Sequence, residues 1–351
     1  MADDLAIVIL AAGKGTRMKS NLVKVLHPLA GRPMLASILD LASSLAPRRV
    51  VVVIGYQAEQ VKDAFKEYSH RWTWVIQTEQ RGTADAVRAA QGVLKDFGGT
   101  VLILYGDVPL LKRSTVEMLL EAHYRGKTPV TVLTATLRDP TGYGRIVRTE
   151  RGIVTRIVEE LDASPMERSI REINTGIYCM DAHLLFEALS LVDADNAKKE
   201  YYLTDVVGYS VKRGNRVGWY EAPEPELTLG INTRKDLAMA EQRLRSEICI
   251  QWMLSGVTIV DPSRTCIDHE VTIGRDTRIE PDCHLRGRTA VGNECTIGPG
   301  CVITDSTVGN GVIIRAVSVI EESILEDGSV VGPFAHIHAG APHTVRNIRD
   351  T

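Results

Sequence analysis

Leu5-Ala6-Ile7-Val8-Ile9-Leu10-Ala11-Ala12-Gly13-Lys14-Gly15-Thr16-Arg17-Met18 is the stretch that decides the fold of the first part of the chain. Leu5–Leu10 is an unbroken apolar run, the pattern of a strand buried on both faces. Glycine then lets the backbone turn sharply and point N–H groups at an anion. The turn is not a dinucleotide G-x-G-x-x-G, because Met18 stands at the last glycine position. Nor is it a Walker A loop, which needs Gly-Lys-Ser/Thr at a fixed spacing. It reads as a phosphate-facing turn of another kind.

Outward from this strand, strand-like and helix-like segments alternate. Arg32–Leu41 has helical periodicity with Pro33 in its first turn, Val50–Ile54 is a second buried strand, and Gln57–Glu67 is helical. Thr73–Ile76, Thr83–Leu94 and Val101–Leu104 continue the series, the last ending at Tyr105-Gly106-Asp107. Such an order predicts an α/β fold with a doubly wound, mostly parallel, Rossmann-like sheet. Ligands of such sheets lie at the carboxyl ends of the strands, which places the turn after Leu10 and the loop at Asp107 on one edge. Residues 129–221 read as further strands with a helix near Asp181–Leu189. A long helix from Arg234 carries Leu237, Ala240, Leu244, Ile248 and Trp252 on one face.

After Gly256 the pattern changes. Ile267, Ile273, Ile279, Leu285, Val291, Ile297 and Ile303 recur every six residues. The series resumes one residue short at Val308, Ile314 and Ile320, and again at Leu325, Val331 and Ile337. A hexapeptide repeat predicts a short left-handed parallel β-helix of about four coils. The expected organisation is residues 1–232 as the nucleotide-handling domain, 233–255 as a connecting helix, 256–340 as the β-helix and 341–351 as a polar tail.

With 351 residues, 44% hydrophobic and 24% charged, the chain is long enough for two cores. A net charge of −3 and 5% aromatics give no pull toward nucleic acid, and no apolar run is long enough to span a membrane. The N-terminus has no secretory pattern, so the expected location is cytoplasmic. None of the six cysteines forms a C-x-x-C pair, so they read as small buried apolar residues.

Lys24 lies among apolar residues in Leu22-Val23-Lys24-Val25-Leu26-His27, a setting suited to meeting a phosphate. Together with LAAGKGTRM (10–18) it opens an ordered set of motifs: Gln77, then Gln80-Arg81-Gly82-Thr83-Ala84, then Tyr105–Leu111. The set continues with Gly142–Arg145, Asn174–Ile177, Glu200–Asp205 and Gly230–Asn232. This series, followed by a hexapeptide-repeat domain, resembles the bacterial bifunctional N-acetylglucosamine-1-phosphate uridylyltransferase / glucosamine-1-phosphate acetyltransferase family.

The resemblance implies Mg²⁺-dependent transfer of UMP from UTP to N-acetylglucosamine-1-phosphate. It implies that Leu10, Ala11, Ala12 and Gly13 hold the nucleoside and that Gln77, Gln80, Gly82 and Thr83 read the base. Arg17 and Lys24 would meet the triphosphate, and Asp107 and Asn232 would hold the metal. Gly144, Glu159, Asn174 and Thr175 would hold the amino sugar, and the β-helix would support a homotrimer. Another sugar-1-phosphate, dTTP, or a non-catalytic sugar-nucleotide-binding role are the alternatives.

Several positions depart from the family pattern. Val23 replaces a proline, which should leave Lys24 less restrained. Gly82-Thr83-Ala84-Asp85-Ala86 stands for the usual Gly-Thr-Gly-His-Ala, and Leu161 stands where a lysine is expected. His336 and His338 replace arginines, and the repeat ends near Gly340, so acetyl transfer is not expected.

Overall fold

The computed structural model describes residues 4–339, so the expected polar tail lies outside the described residues. Two compact units divide the chain: residues up to His27 with Pro33–Thr233, and Pro28–Arg32 with the residues from Arg234 onward.

The first unit is built on a nine-stranded mixed sheet. Its strands are β1 (Leu5–Ala11), β2 (Arg49–Ile54), β3 (Thr73–Ile76), β4 (Thr100–Tyr105), β5 (Val130–Thr136), β6 (Arg145–Arg148), β7 (Val154–Val158), β8 (Glu172–Asp181) and β9 (Val217–Glu221). The main order is β9-β5-β8-β4-β1-β2-β3, with β6 joined to β8 and β7. β4, β1, β2 and β3 run parallel, whereas β8 lies antiparallel between β4 and β5.

Why β1 is apolar throughout follows from its place in the middle. Leu5, Ile7 and Ile9 enter one core with Leu35 and Ile38 of helix α1 (Met34–Ser44). Ala6, Val8 and Leu10 enter the opposite core with Val87 of α2 (Thr83–Ala89) and Leu185 of α3 (Ala182–Leu191). Both pleat faces are thus covered by helices, the doubly wound arrangement.

Three helices differ from the sequence expectation. The expected Gln57–Glu67 helix spans only Ala58–Ala64, with Gln57 before it at a left-handed φ of 52°. Pro33 precedes α1 as its N-cap with an extended ψ of 135°, so the helix begins at Met34. The expected Thr83–Leu94 helix breaks at Ala90 into Thr83–Ala89 and Gln91–Leu94. Apolar periodicity reports which residues face the core, not where the backbone hydrogen-bond ladder is interrupted.

The second unit contains helix α4 (Arg234–Leu254) and a left-handed parallel β-helix. Three parallel sheets of five, five and four short strands form its faces. All thirteen residues of the repeat, Ile267 to Ile337, are buried. Ile259 is a further inward residue, hidden from the repeat because a 3₁₀ turn, Pro262–Arg264, lengthens the corner before Ile267. The two slips, at Val308 and Leu325, fall on the same face of successive coils, paired in register. Of the stripe on α4, Leu244, Ile248 and Trp252 pack into the β-helix core. Five cysteines are buried and Cys266 is partly exposed, all six free. Among the described residues no helix is long and apolar enough to cross a membrane.

Candidate active site

At the carboxyl ends of β1 and β4, the first unit opens into a cavity of about 450 Å³. Leu10, Ala11, Ala12, Gly13, Arg17, Lys24, Gln77, Gln80, Gly82, Thr83, Asp107 and Asn232 all line it. The turn after β1 supplies one wall. Gly15 takes a left-handed φ of 61°, and a Cβ there would lie 2.5 Å from Lys24 Cβ. The absence of a side chain at Gly15 is therefore what lets Lys24 cross the turn. Val23 is buried with φ −55°, the angle a proline would impose. The restraint that the missing proline would give is supplied by packing of the valine.

Lys24 Nζ is ion-paired with Asp107 and donates at 2.8 Å to Asn232 Oδ1. Arg17 Nη2 donates to the same oxygen at 2.8 Å. Asn232 Nδ2 in turn donates to the Gly230 carbonyl at 3.0 Å, which fixes the amide with its oxygen toward the cations. One carboxylate and one amide oxygen thus already converge on a cation. Two hard oxygen donors suit a small divalent ion that keeps several waters and takes its remaining contacts from phosphate. Among the described residues no cluster of three or more His, Cys, Asp or Glu is placed to cage a metal unaided. The residues present fit a metal that arrives with a phosphorylated ligand.

The opposite wall is polar. Gln77 Nε2 donates to the Gly82 carbonyl at 3.2 Å and to Asp85 Oδ2 at 2.9 Å. Gln80 Nε2 donates to the Gln77 carbonyl at 3.3 Å. The 200–205 segment braces this wall: Ala84 N–H donates to Tyr201 O at 2.9 Å, and Leu203 N–H to Thr83 Oγ1 at 3.0 Å.

Of the residues expected to hold a sugar, Gly144, Glu159 and Asn174 are brought together. A Cβ on Gly144 would lie 3.5 Å from Glu159 Oε1 and 3.6 Å from Asn174 Cβ. Glu159 also lines a second cavity of about 520 Å³ with Tyr202, Thr204 and Asp205. Burial pushes its carboxyl above the usual range, opposed by Lys198 and by the Thr204 hydroxyl, which donates to Oε1 at 3.3 Å. Its neighbour Glu160 is committed elsewhere. It accepts from Arg145 at 2.6 Å and from Gly142 N–H at 3.2 Å, clamping the Gly142–Arg145 turn. Thr175 is turned away, its hydroxyl donating to the Leu133 carbonyl at 2.7 Å. Leu161 is 57% exposed.

Sequence reasoning passed over Tyr105, which lines the first cavity. Its ring lies 2.8 Å from where a Cβ on Gly176 would stand. An aromatic at the end of an apolar strand reads as core; its place in the cavity lining follows from its position at the carboxyl end of β4. Lys14, Thr16 and Glu200 also line the cavity.

A mostly parallel sheet with a cation-rich turn at its carboxyl edge suits an enzyme that transfers from an NTP, and the family comparisons show that class. Residues 7–174 match the MobA-like NTP transferase domain, and residues 267–345 match the GMPPB C-terminal domain. The chain is 49% identical to bifunctional protein GlmU of Brevibacillus brevis over 95% of the chain and 72% of that protein. It is 47% identical to the protein of that name from Pelobacter propionicus, over 96% of the chain and 73% of the relative. The chain belongs to the GlmU family. It is a sugar-1-phosphate nucleotidyltransferase of the UDP-N-acetylglucosamine pyrophosphorylase type.

Proposed function

We propose that this chain transfers UMP from UTP to N-acetylglucosamine-1-phosphate, releasing pyrophosphate, with Mg²⁺ as its metal. The observation that carries the reading is the convergence of Arg17, Lys24, Asp107 and Asn232 on one another in a cavity that Gln77, Gly82 and Thr83 also line. A sugar-1-phosphate is already an anionic nucleophile, so the reaction needs no general base from the protein. The barrier is charge repulsion and geometry, which positioned cations lower.

Leu10–Gly13 would lie along the nucleoside, and Gln77, Gln80, Gly82 and Thr83 would read uracil. Arg17 and Lys24 would neutralise the triphosphate as the acceptor oxygen attacks the α-phosphorus in line, without a covalent intermediate. Asp107 and Asn232 would hold Mg²⁺, which supplies charge neutralisation of the phosphates. Gly144, Glu159 and Asn174 would hold the amino sugar, with Thr175 shaping the strand beneath them.

The side-chain roles that support this assignment predict a simple result. Asp107→Ala should lower pyrophosphate release from UTP and N-acetylglucosamine-1-phosphate by at least a hundredfold, roughly 3 kcal/mol of barrier. Retained turnover at saturating Mg²⁺ would remove Asp107 as the metal anchor. Glucose-1-phosphate and dTTP run alongside test the proposed substrate pair; faster release with either moves it. The expected absence of acetyl transfer has no support in these relatives, which are bifunctional by name. For assembly we propose a homotrimer through the β-helix, whose exposed Ile324 and Phe334 supply apolar surface. Sedimentation showing only monomer at micromolar concentration would reject it.

A further inference from the structure

The Gln77 side chain sits in the cavity wall with 5% exposure, and both of its N–H groups have acceptors. One is the Gly82 carbonyl at 3.2 Å, the other Asp85 Oδ2 at 2.9 Å. A carbonyl and a carboxylate accept hydrogen bonds and cannot donate them. Rotating the amide by half a turn would set its oxygen against both. The orientation is therefore dictated by chemistry, and Oε1 is the atom left to meet a ligand. Asp85 is itself held: its other oxygen accepts from Arg81 Nη2 at 3.1 Å, and its side chain is 11% exposed.

We propose that Asp85 is a positioning residue that locks the Gln77 amide with its oxygen presented as an acceptor, and so selects nucleobases that offer a ring N–H. The inference rests on the nucleotidyl-transfer reading of this cavity and goes beyond it by assigning the base selectivity to a residue that does not reach the base. Among pyrimidines, uracil and thymine present an N3–H between two carbonyls, whereas cytosine presents a lone pair at that position. A fixed acceptor attracts the first and repels the second. A glutamine free to rotate would serve both, so the discrimination belongs to the pair and not to Gln77 alone. Asp85 stands at the position where the family pattern carries histidine, a side chain that can donate as well as accept.

Asp85→Asn keeps the size and can either accept from or donate to Gln77, which removes the shorter of the two restraints on the amide and leaves only the 3.2 Å bond to the Gly82 carbonyl against its turning over. Pyrophosphate release is measured for the wild-type chain and the variant with UTP, CTP and dTTP at saturating N-acetylglucosamine-1-phosphate. The ratio of kcat/KM for UTP over CTP should fall about tenfold in Asp85→Asn, the size of one hydrogen bond gained or lost, and should reside in KM. The ratio of UTP to dTTP should stay unchanged, because the two bases share the reading edge. Asp85→Ala should move the UTP/CTP ratio in the same direction, which guards against a folding defect in either variant. Loss of UTP and CTP turnover in equal measure would show a structural role and overturn the proposal, as would an unchanged ratio. If the wild-type chain releases pyrophosphate with no nucleotide, the transfer reading fails. Equilibrium dialysis of UTP and CTP then decides Asp85 separately: a wild-type preference for UTP that Asp85→Asn loses upholds the lock, and one it keeps overturns it.

Discussion

Lys24 is the residue on which the site turns. It is 8% exposed, its charge is met by Asp107 and Asn232, and its path across the turn is open only because Gly15 has no side chain. Gly15→Ala would place a methyl 2.5 Å from Lys24 Cβ and strain a left-handed residue besides. It should lower kcat by about tenfold or more while the melting temperature falls by only a few degrees, checked by kinetics and a thermal scan on the same preparation. Glu159 gives a second residue-scale prediction. Burial raises its carboxyl above the ordinary value, so the ionised form is disfavoured in the folded state. Its destabilising effect is absent below the ordinary carboxylate range, grows as pH rises toward the raised value, and is constant above it. Glu159→Gln should therefore melt higher than wild type at about pH 7 and match it at about pH 4. The same substitution should raise KM for the sugar phosphate. A stability difference that is the same at both pH values would show that ionisation of Glu159 is not its source.

Elements carry the next level of argument. β1 is apolar on both faces because helices cover both, and that requirement alone made it visible in the sequence. β8 is less legible. Its register with β5 shifts between Asn174 and Tyr178, which takes Thr175, Gly176 and Ile177 out of regular pairing, and Gly176, at φ 86°, makes room for the Tyr105 ring. In the β-helix, coils approach so closely that a Cβ on Gly292 would lie 2.6 Å from the Gly309 carbonyl carbon. Gly292→Ala should destabilise the second unit by about 1–3 kcal/mol, since backbone cannot yield as a side-chain tip can. Denaturant unfolding followed on that unit measures it; a cost under about 0.5 kcal/mol would mean that the corner relaxes freely.

At the scale of the whole molecule, each of the two units has hydrophobic core of its own. All residues lining the cavity of about 450 Å³ proposed for the nucleotide belong to the first unit. Calorimetry should therefore resolve two transitions. UTP with Mg²⁺ at a hundredfold excess over Kd adds about 2.7 kcal/mol to the first unit, a shift of roughly 5–10 °C in that transition alone. A single transition that moves as one would show that the units unfold together.

What the sequence determined by itself is what short-range periodicity and residue chemistry encode. An unbroken apolar run marked β1, period six marked the coils, and glycine followed by basic residues marked the turn after it. Lys24 was legible as a charge among apolar residues and Asp107 as a carboxylate at a strand end, whereas Gln77 and Asn232 were picked out only by the family resemblance; 208 residues separate Lys24 from Asn232, which it touches. Which atoms meet was decided only by tertiary structure. Glu159 and Glu160 are adjacent and identical in type, yet one faces a cavity and the other clamps Arg145. Asp85 stood out in the sequence only as a departure from the family pattern, and its contact with Gln77, which follows β3, is a product of the fold. Tyr105 packs against the core and also lines the cavity. The physical reason is common to all three: a side chain's role depends on what packs against it, and those partners arrive from strands and loops distant in the chain.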